Sequence, residues 1–186
     1  MYDYLDRFIL CYHGTTSNHA HHIVDAGIDV TKGYKAVDFG QGFYTTSSFE
    51  QAKKHAQKLW KDTKNHSISP AVVRLEVDVI NLKKSIKDHQ LSSGIFEVAN
   101  DDFYYFVYNC RKEGLNDGVY HEHDIVAGPL ADGKPNTSVK RLTRGLMSGR
   151  ILLEISSLMD QIWINCLFTP YVLFNTLLRR RFVNCE

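Results

Sequence analysis

The sequence predicts a single domain that mixes helices and strands, α/β or α+β, and three observations carry that expectation. The chain has 186 residues, the length of one compact domain. Its apolar share of 44% and charged share of 23% are those of a globular fold and exclude general disorder. Short β-branched and aromatic runs alternate with segments of helical spacing that carry their own caps. The 22 Lys and Arg balance 21 acids to a net charge of +1, which provides no global field for holding a polyanion such as nucleic acid. Cys11, Cys110, Cys166 and Cys185 lie far apart without CxxC spacing, which argues against a zinc ribbon or redox pair and fits a reducing cytosol. The opening MYDYLDRFILCYHG has only a five-residue apolar run, Phe8 to Tyr12, with acids before it, the wrong build for a signal peptide.

Residues 7–13, RFILCYH, predict a buried first strand, and Gly14-Thr15-Thr16 a turn after it. Ser17 reads as the N-cap of a helix over 18–26 that Gly27 ends. Residues 28–38 form a loop containing Gly33, and DFGQGFYTTSS, residues 38–48, puts two glycines before a short strand. Ser48, with Glu50 and Gln51 in the first turn, marks a helix over 49–61. After the polar linker 62–69, Pro70 opens AVVRLEVDVINL, where Val73, Leu75, Val77 and Val79 alternate with Arg74, Glu76 and Asp78 as in a half-buried strand. Helical spacing of Phe96, Val98, Phe103, Phe106, Val107 and Cys110 predicts a helix over 96–112. Residues 123–128, HDIVAG, predict a strand closed by Pro129 and Asp132-Gly133. Beyond residue 137 the pattern suggests a helix over 139–146 and a last strand over 171–175. The apolar stretch 162–174 contains Asn165, Thr169 and Pro170 and is shorter than the ~20 residues a membrane span needs, so a core strand pair is the better reading. Arg179-Arg180-Arg181 reads as a solvated end.

Three local features could carry chemistry. Tyr12-His13-Gly14-Thr15 combines an imidazole with a residue that lets backbone approach a ligand closely, although a strand-end His is commonly structural. In Gly40-Gln41-Gly42-Phe43-Tyr44, Phe43 and Tyr44 face opposite sides of a strand, one able to fill the core and the other to meet a planar ring; the spacing matches neither a dinucleotide fingerprint nor a P-loop. In Glu122-His123-Asp124, the two carboxylates of a strand share a face, which suits either solvation or stabilisation of a cationic transition state. His19 and His22 on one helix, and His121 with His123, are a weaker metal-binding pattern without Cys or acid ligands beside them, and no metal is expected.

Taken in order, YHGT (12–15), DFGQGFYTT (38–46) with QAKKHA (51–56), and HDIVAGPLADGK (123–134) resemble a bacterial domain family of unknown function grouped with the ADP-ribosyltransferases. Its members carry a YHGT-like start, a DFGxGFYxT segment with a QAxxWA helix, and DIVxGPVAD in the same order. The likeness covers roughly residues 9–135 within a core of about 7–135, and residues 136–186 diverge from it. Gly40-Gln41-Gly42-Phe43-Tyr44 is also similar to the GKGxY segment of diphtheria-toxin and poly-ADP-ribose-polymerase-type transferases.

The resemblance implies an α+β fold, one domain over 1–186, with a split mixed β-sheet and flanking helices around an NAD cleft. It implies cleavage of the nicotinamide–ribose bond and transfer of ADP-ribose to a macromolecular acceptor, most simply a protein; NAD is consumed as co-substrate. By position, His13 would hold the adenosine ribose, Gly14 the nicotinamide amide with Thr15 beside it, and Tyr44 would stack on the nicotinamide within the Gly42-Phe43-Tyr44 segment. His55 stands eleven positions after Tyr44, where a second aromatic is usual. The stabilising carboxylate of an oxocarbenium-like transition state falls to Asp124, then Glu122, with Gln161 of DQIWIN as a third candidate. The alternative is an inactive NAD- or partner-binding member of the same fold. An RNA-directed transferase fits the neutral charge less well, although Lys140, Arg141, Arg144 and Arg150 form a local basic group. The expected setting is cytoplasmic, or secreted without a conventional signal peptide, with no membrane segment.

Overall fold

The computed structural model describes residues 2–130, 160–164 and 178–184. The helix expected over 139–146, the strand over 171–175 and the basic group at 140–150 lie outside them. Chain order is a 3₁₀ helix at Tyr2–Phe8, β1 (Leu10–Thr16), α1 (Ser17–Asp25), a 3₁₀ turn at Val30–Lys32, β2 (Phe43–Thr46), α2 (Phe49–Thr63), β3 (Pro70–Val77), α3 (Val79–Lys87), β4 (Ser93–Ile95), α4 (Asp101–Leu115), β5 (Ile125–Pro129), β6 (Asp160–Ile164) and β7 (Leu178–Asn184). The fold is mixed α+β, with the strands in one sheet of order β4-β5-β6-β2-β1-β3-β7. Neighbours are antiparallel except β4 and β5.

Helices pack on both faces of the sheet. On the first, the N-terminal 3₁₀ helix, α1 and α3 bring Leu5, Phe8, Ala20, Ile23 and Leu82 against Cys11, Val73, Leu75 and Ile125. On the second, α2 sets Ala52 and Ala56 on Val72, while α4 packs Phe103, Phe106 and Val107 against Val126 and Phe39. The alternation read in β3 holds, since Val73, Leu75 and Val77 pack into the first core while Arg74 and Glu76 stay partly exposed on the second face, where Val72 is buried beneath α2.

Several boundaries differ from expectation for local reasons. The first strand begins at Leu10, because residues 2–8 wind as a 3₁₀ helix that buries Leu5 and Phe8. It runs on through Gly14-Thr15-Thr16, expected as a turn, because β3 offers a partner at every position from Leu10↔Glu76 to Thr16↔Pro70. Ser17 is the first residue of α1 rather than its cap, and its Oγ accepts from Ser69 N at 3.1 Å. Gly27, at φ 106°, follows the end of α1 as expected. Ser48 caps α2 as expected, accepting from Gln51 N at 3.3 Å. Val79 leaves the predicted strand because Asp78 accepts from Asn81 N at 3.1 Å and starts α3, a helix the sequence reading missed. Asn100 likewise starts α4 at Asp101, later than the predicted 96. β5 starts at Ile125, two residues after the predicted start, so Glu122 and Asp124 precede the strand and share no strand face. The arginine run, read as a solvated end, forms β7 beside β3. Among the described residues, no helix is long and apolar enough to cross a membrane.

Candidate functional site

The site begins at β1, whose peptide groups alternate between its two neighbouring strands. Val77 N donates to Ile9 O at 2.9 Å, and this contact together with the β1–β3 register turns the peptide groups of Cys11, His13 and Thr15 toward β3. Those of Tyr12, Gly14 and Thr16 then point the other way, toward β2. There the ladder has a single rung among the described residues, Tyr12↔Thr46, against seven paired positions on the β3 side. Past that rung β1 and β2 part, so the Gly14 N–H and C=O are directed into the parting.

His13 bridges the gap with its side chain. Its Nδ1 lies 2.7 Å from Tyr44 O, and because a carbonyl only accepts, Nδ1–H is the donor. In the neutral ring Nε2 is therefore an acceptor, and nothing among the described residues bonds it. The ring stacks on Phe43 at 4.2 Å and 28°. Burial pushes the imidazole pKa down to about 4, the Tyr44 contact opposing and His55 and His19 adding smaller decreases. Below 6.5 the unfolded chain protonates His13 while the native ring stays neutral, so stability is full above that pH and falls as the pH drops toward 4. At ~1.4 kcal/mol per unit, the loss attributable to His13 approaches ~3 kcal/mol. Urea unfolding of the wild type and His13→Gln at several pH values checks this: the stability difference between them should shrink across that window, and a constant difference would contradict it.

Gly14 carries a second constraint. A Cβ there would lie 2.0 Å from Ala52 O and 3.1 Å from Ala56 N, so the α2 backbone sits directly on it. His55, exposed on α2 one turn after Ala52, adds a small decrease to the His13 pKa through its charge. Thr15 is buried in β1 opposite Ala71.

The opposite bank is the segment 38–44. Phe43 and Tyr44 do point to opposite faces, Phe43 into the first core and Tyr44 against the second. The Tyr44 hydroxyl donates to Gly40 O at 2.8 Å and accepts from Phe39 N at 2.8 Å, so this side chain closes its own loop; burial holds its pKa well above 10. Gly40 takes φ 78°, a conformation open to glycine, and a Cβ on Gly33 would lie 2.4 Å from Gly42 O. Gln41 Nε2 donates to Thr31 O at 2.7 Å and Gly33 O at 3.0 Å. Arg111 on α4 pairs with Asp38, and His121 Nε2–H donates to Phe39 O at 2.9 Å while its Nδ1 accepts from His123 N at 3.1 Å. With both ring nitrogens used, His121 has no lone pair for a metal. Sequence reasoning missed Arg111 and Ser92; neither lies in a recognisable motif.

The acid candidates separate. Asp124 is 7% exposed, and its Oδ2 accepts from Ser92 N at 2.7 Å and stands 2.9 Å from Ser92 Oγ, while Asp124 N donates back to Ser92 Oγ at 2.9 Å. This knot joins the starts of β4 and β5. Glu122 is exposed, and its carbonyl stands 3.0 Å from the Ser92 hydroxyl. Gln161 lies in β6, in register with Thr46 on one side and Gly128 on the other. It is thus on the strand next to β2, level with the last rung before the parting, whereas Asp124 precedes a strand one place further away.

Among the described residues no group of three or more His, Cys, Asp or Glu could hold a metal. Residues 9–174 match the model of a family described as a protein of unknown function, DUF3990. The chain belongs to this family. The DUF3990 match runs past the last of the three sequence motifs and includes β6. No curated protein and no solved structure is significantly similar to this DUF3990 chain.

Proposed function

We propose that this DUF3990 domain is an NAD-dependent ADP-ribosyltransferase acting on a protein acceptor. The observation that carries the reading is the parting of β1 from β2, into which Gly14 directs its peptide groups and His13 leaves Nε2 open. A carboxamide is the group such an edge suits, since its NH₂ donates to the Gly14 carbonyl and its oxygen accepts from the Gly14 N–H. His13 Nε2, held as an acceptor by the Tyr44 carbonyl, suits a ribose hydroxyl. The Gly42–Tyr44 segment would form one bank, its loop fixed by the Tyr44 hydroxyl, and His55 of α2 would supply the second ring. In the reaction the bond from ribose C1 to the nicotinamide nitrogen breaks, its electron pair leaves with nicotinamide, and an acceptor nucleophile bonds C1 and loses its proton. Gln161, on the strand beside β2 and in register with Thr46, is the candidate we favour for stabilising the cationic ribose; an amide there is a weaker stabiliser than a carboxylate.

A second reading, an NAD-binding protein without transfer, is favoured by one observation: the Asp124 carboxylate is already engaged by Ser92. Nicotinamide release from NAD⁺, paired with calorimetric titration of NAD⁺, separates the two. The transferase reading expects release that falls about 100-fold in His13→Ala, the scale of losing one positioned contact. Binding without release supports the second reading, and absence of binding overturns both.

A further inference from the structure

The near-neutral total charge conceals a local imbalance. α2 with its cap Lys64, β3 and β7 together hold nine of the 22 Lys and Arg but three of the 21 acids. These elements adjoin: α2 lies over β1 and β3 on the second face, and β7 pairs with β3. Leu178 and Phe182 pack into the first core, so Arg179 and Arg181 project from the second face, with Arg74 and Glu76 of β3. Lys54, Lys58 and Lys61, three or four apart, line the exposed side of α2.

One pairing on this face is unfavourable as it stands. Arg74 and Arg181 are direct partners in the β3–β7 register, roughly 5 Å apart at Cα, and like charges so placed repel. Arg74 pairs with Glu76 at 3.1 Å, and Arg179 stands opposite Glu76 and feels Asp78. Among the described residues no carboxylate pairs with Arg181. We propose that the second face of β3 and β7, beside α2, docks an acidic segment of a partner protein, with one carboxylate clasped between Arg74 and Arg181 and further acids against the α2 lysines. Two planar guanidiniums side by side offer paired donors to a carboxylate, and its charge removes their repulsion. Single-stranded nucleic acid is the poorer match, because it needs exposed aromatic platforms. The exposed tyrosines of the described residues, Tyr34, Tyr105 and Tyr120, lie in the 28–42 loop, on α4 and after α4 rather than on this face, where α2 carries the exposed His55 and the half-buried Trp60. The inference does not rest on the transferase reading.

The test is fluorescence anisotropy of the full chain with a labelled oligoglutamate and a labelled single-stranded oligonucleotide of equal charge, at low and high salt. The oligoglutamate should bind more tightly, with affinity falling as salt rises. Arg74→Ala with Arg181→Ala should weaken it by about tenfold or more, whereas Lys84→Ala with Lys87→Ala on α3 should leave it unchanged. Arg181→Gln alone, which relieves the repulsion, should fold with an undiminished melting temperature and still bind less tightly, separating docking from stability. Tighter oligonucleotide binding would assign the face to nucleic acid instead. Equal losses in both double variants would reduce the effect to net charge, and failure to bind oligoglutamate would overturn the proposal outright.

Discussion

Gly14→Ala should lower the unfolding free energy by ~3 kcal/mol or more, the upper range for forcing an extra methyl into a packed site. The reason is the approach of α2, not backbone conformation. The added Cβ would meet Ala52 O at 2.0 Å and Ala52 C at 2.9 Å, and neither atom can rotate away as a side chain could. Relief requires α2 to lift from β1, which unpacks Ala52 and Ala56 from Val72. For a domain whose whole stability is of order 5–15 kcal/mol, such a change leaves a thin margin. Urea denaturation reads it directly: an unchanged midpoint would mean that α2 does not press on Gly14. The same packing explains why the glycine is not in itself evidence for a ligand. A gap that exposes peptide groups and a helix seated on the strand demand the same residue, so loss of activity in Gly14→Ala would not distinguish them.

The second large effect is expected at Asp124, where two substitutions divide structure from chemistry. Asp124→Ala removes the acceptor shared by Ser92 N and Ser92 Oγ in a site that is 7% exposed. Hydrogen bonds to a charged group contribute about 1.5–3 kcal/mol, and two are lost together, so ~3 kcal/mol of destabilisation is expected. Asp124→Asn keeps one oxygen for the same bonds and should lose only ~1 kcal/mol. Melting both variants beside a nicotinamide-release assay gives the answer. A stable but inactive Asp124→Asn would make the carboxylate charge part of the reaction; a stable and active one would confine Asp124 to joining β4 and β5. If Asp124→Ala were as stable as wild type, the Ser92 knot would have no energetic role.

Much of the fold was legible where local chemistry and burial agree. Ser48 with Gln51, Gly27 after α1 and the Val73–Leu75 alternation are short-range signals, and each marks the element it was expected to mark. The misread boundaries share a cause. Leu10–Thr16 is extended through a glycine and two threonines because β3 pairs every one of them, an interaction whose partner lies some sixty residues away. Val79 continues the strand alternation yet is helical, because the Asp78 cap outweighs a single β-branched residue. Glu122 and Asp124 lost their shared face once the strand began after them.

Sequence by itself determined the residues that can do chemistry and the order in which they come: His13-Gly14-Thr15, the Gly40–Tyr44 segment, His55 and the Glu122–Asp124 pair. Tertiary structure alone decided what each is used for. Tyr44 spends its hydroxyl on Phe39 and Gly40, Asp124 its carboxylate on Ser92, and Gly14 its bare Cα on Ala52. His13 keeps its second ring nitrogen unbonded among the described residues, because its other nitrogen stands in for a missing rung between β1 and β2. A rung is a property of two strands held in register, and no pattern within either strand records that it is absent.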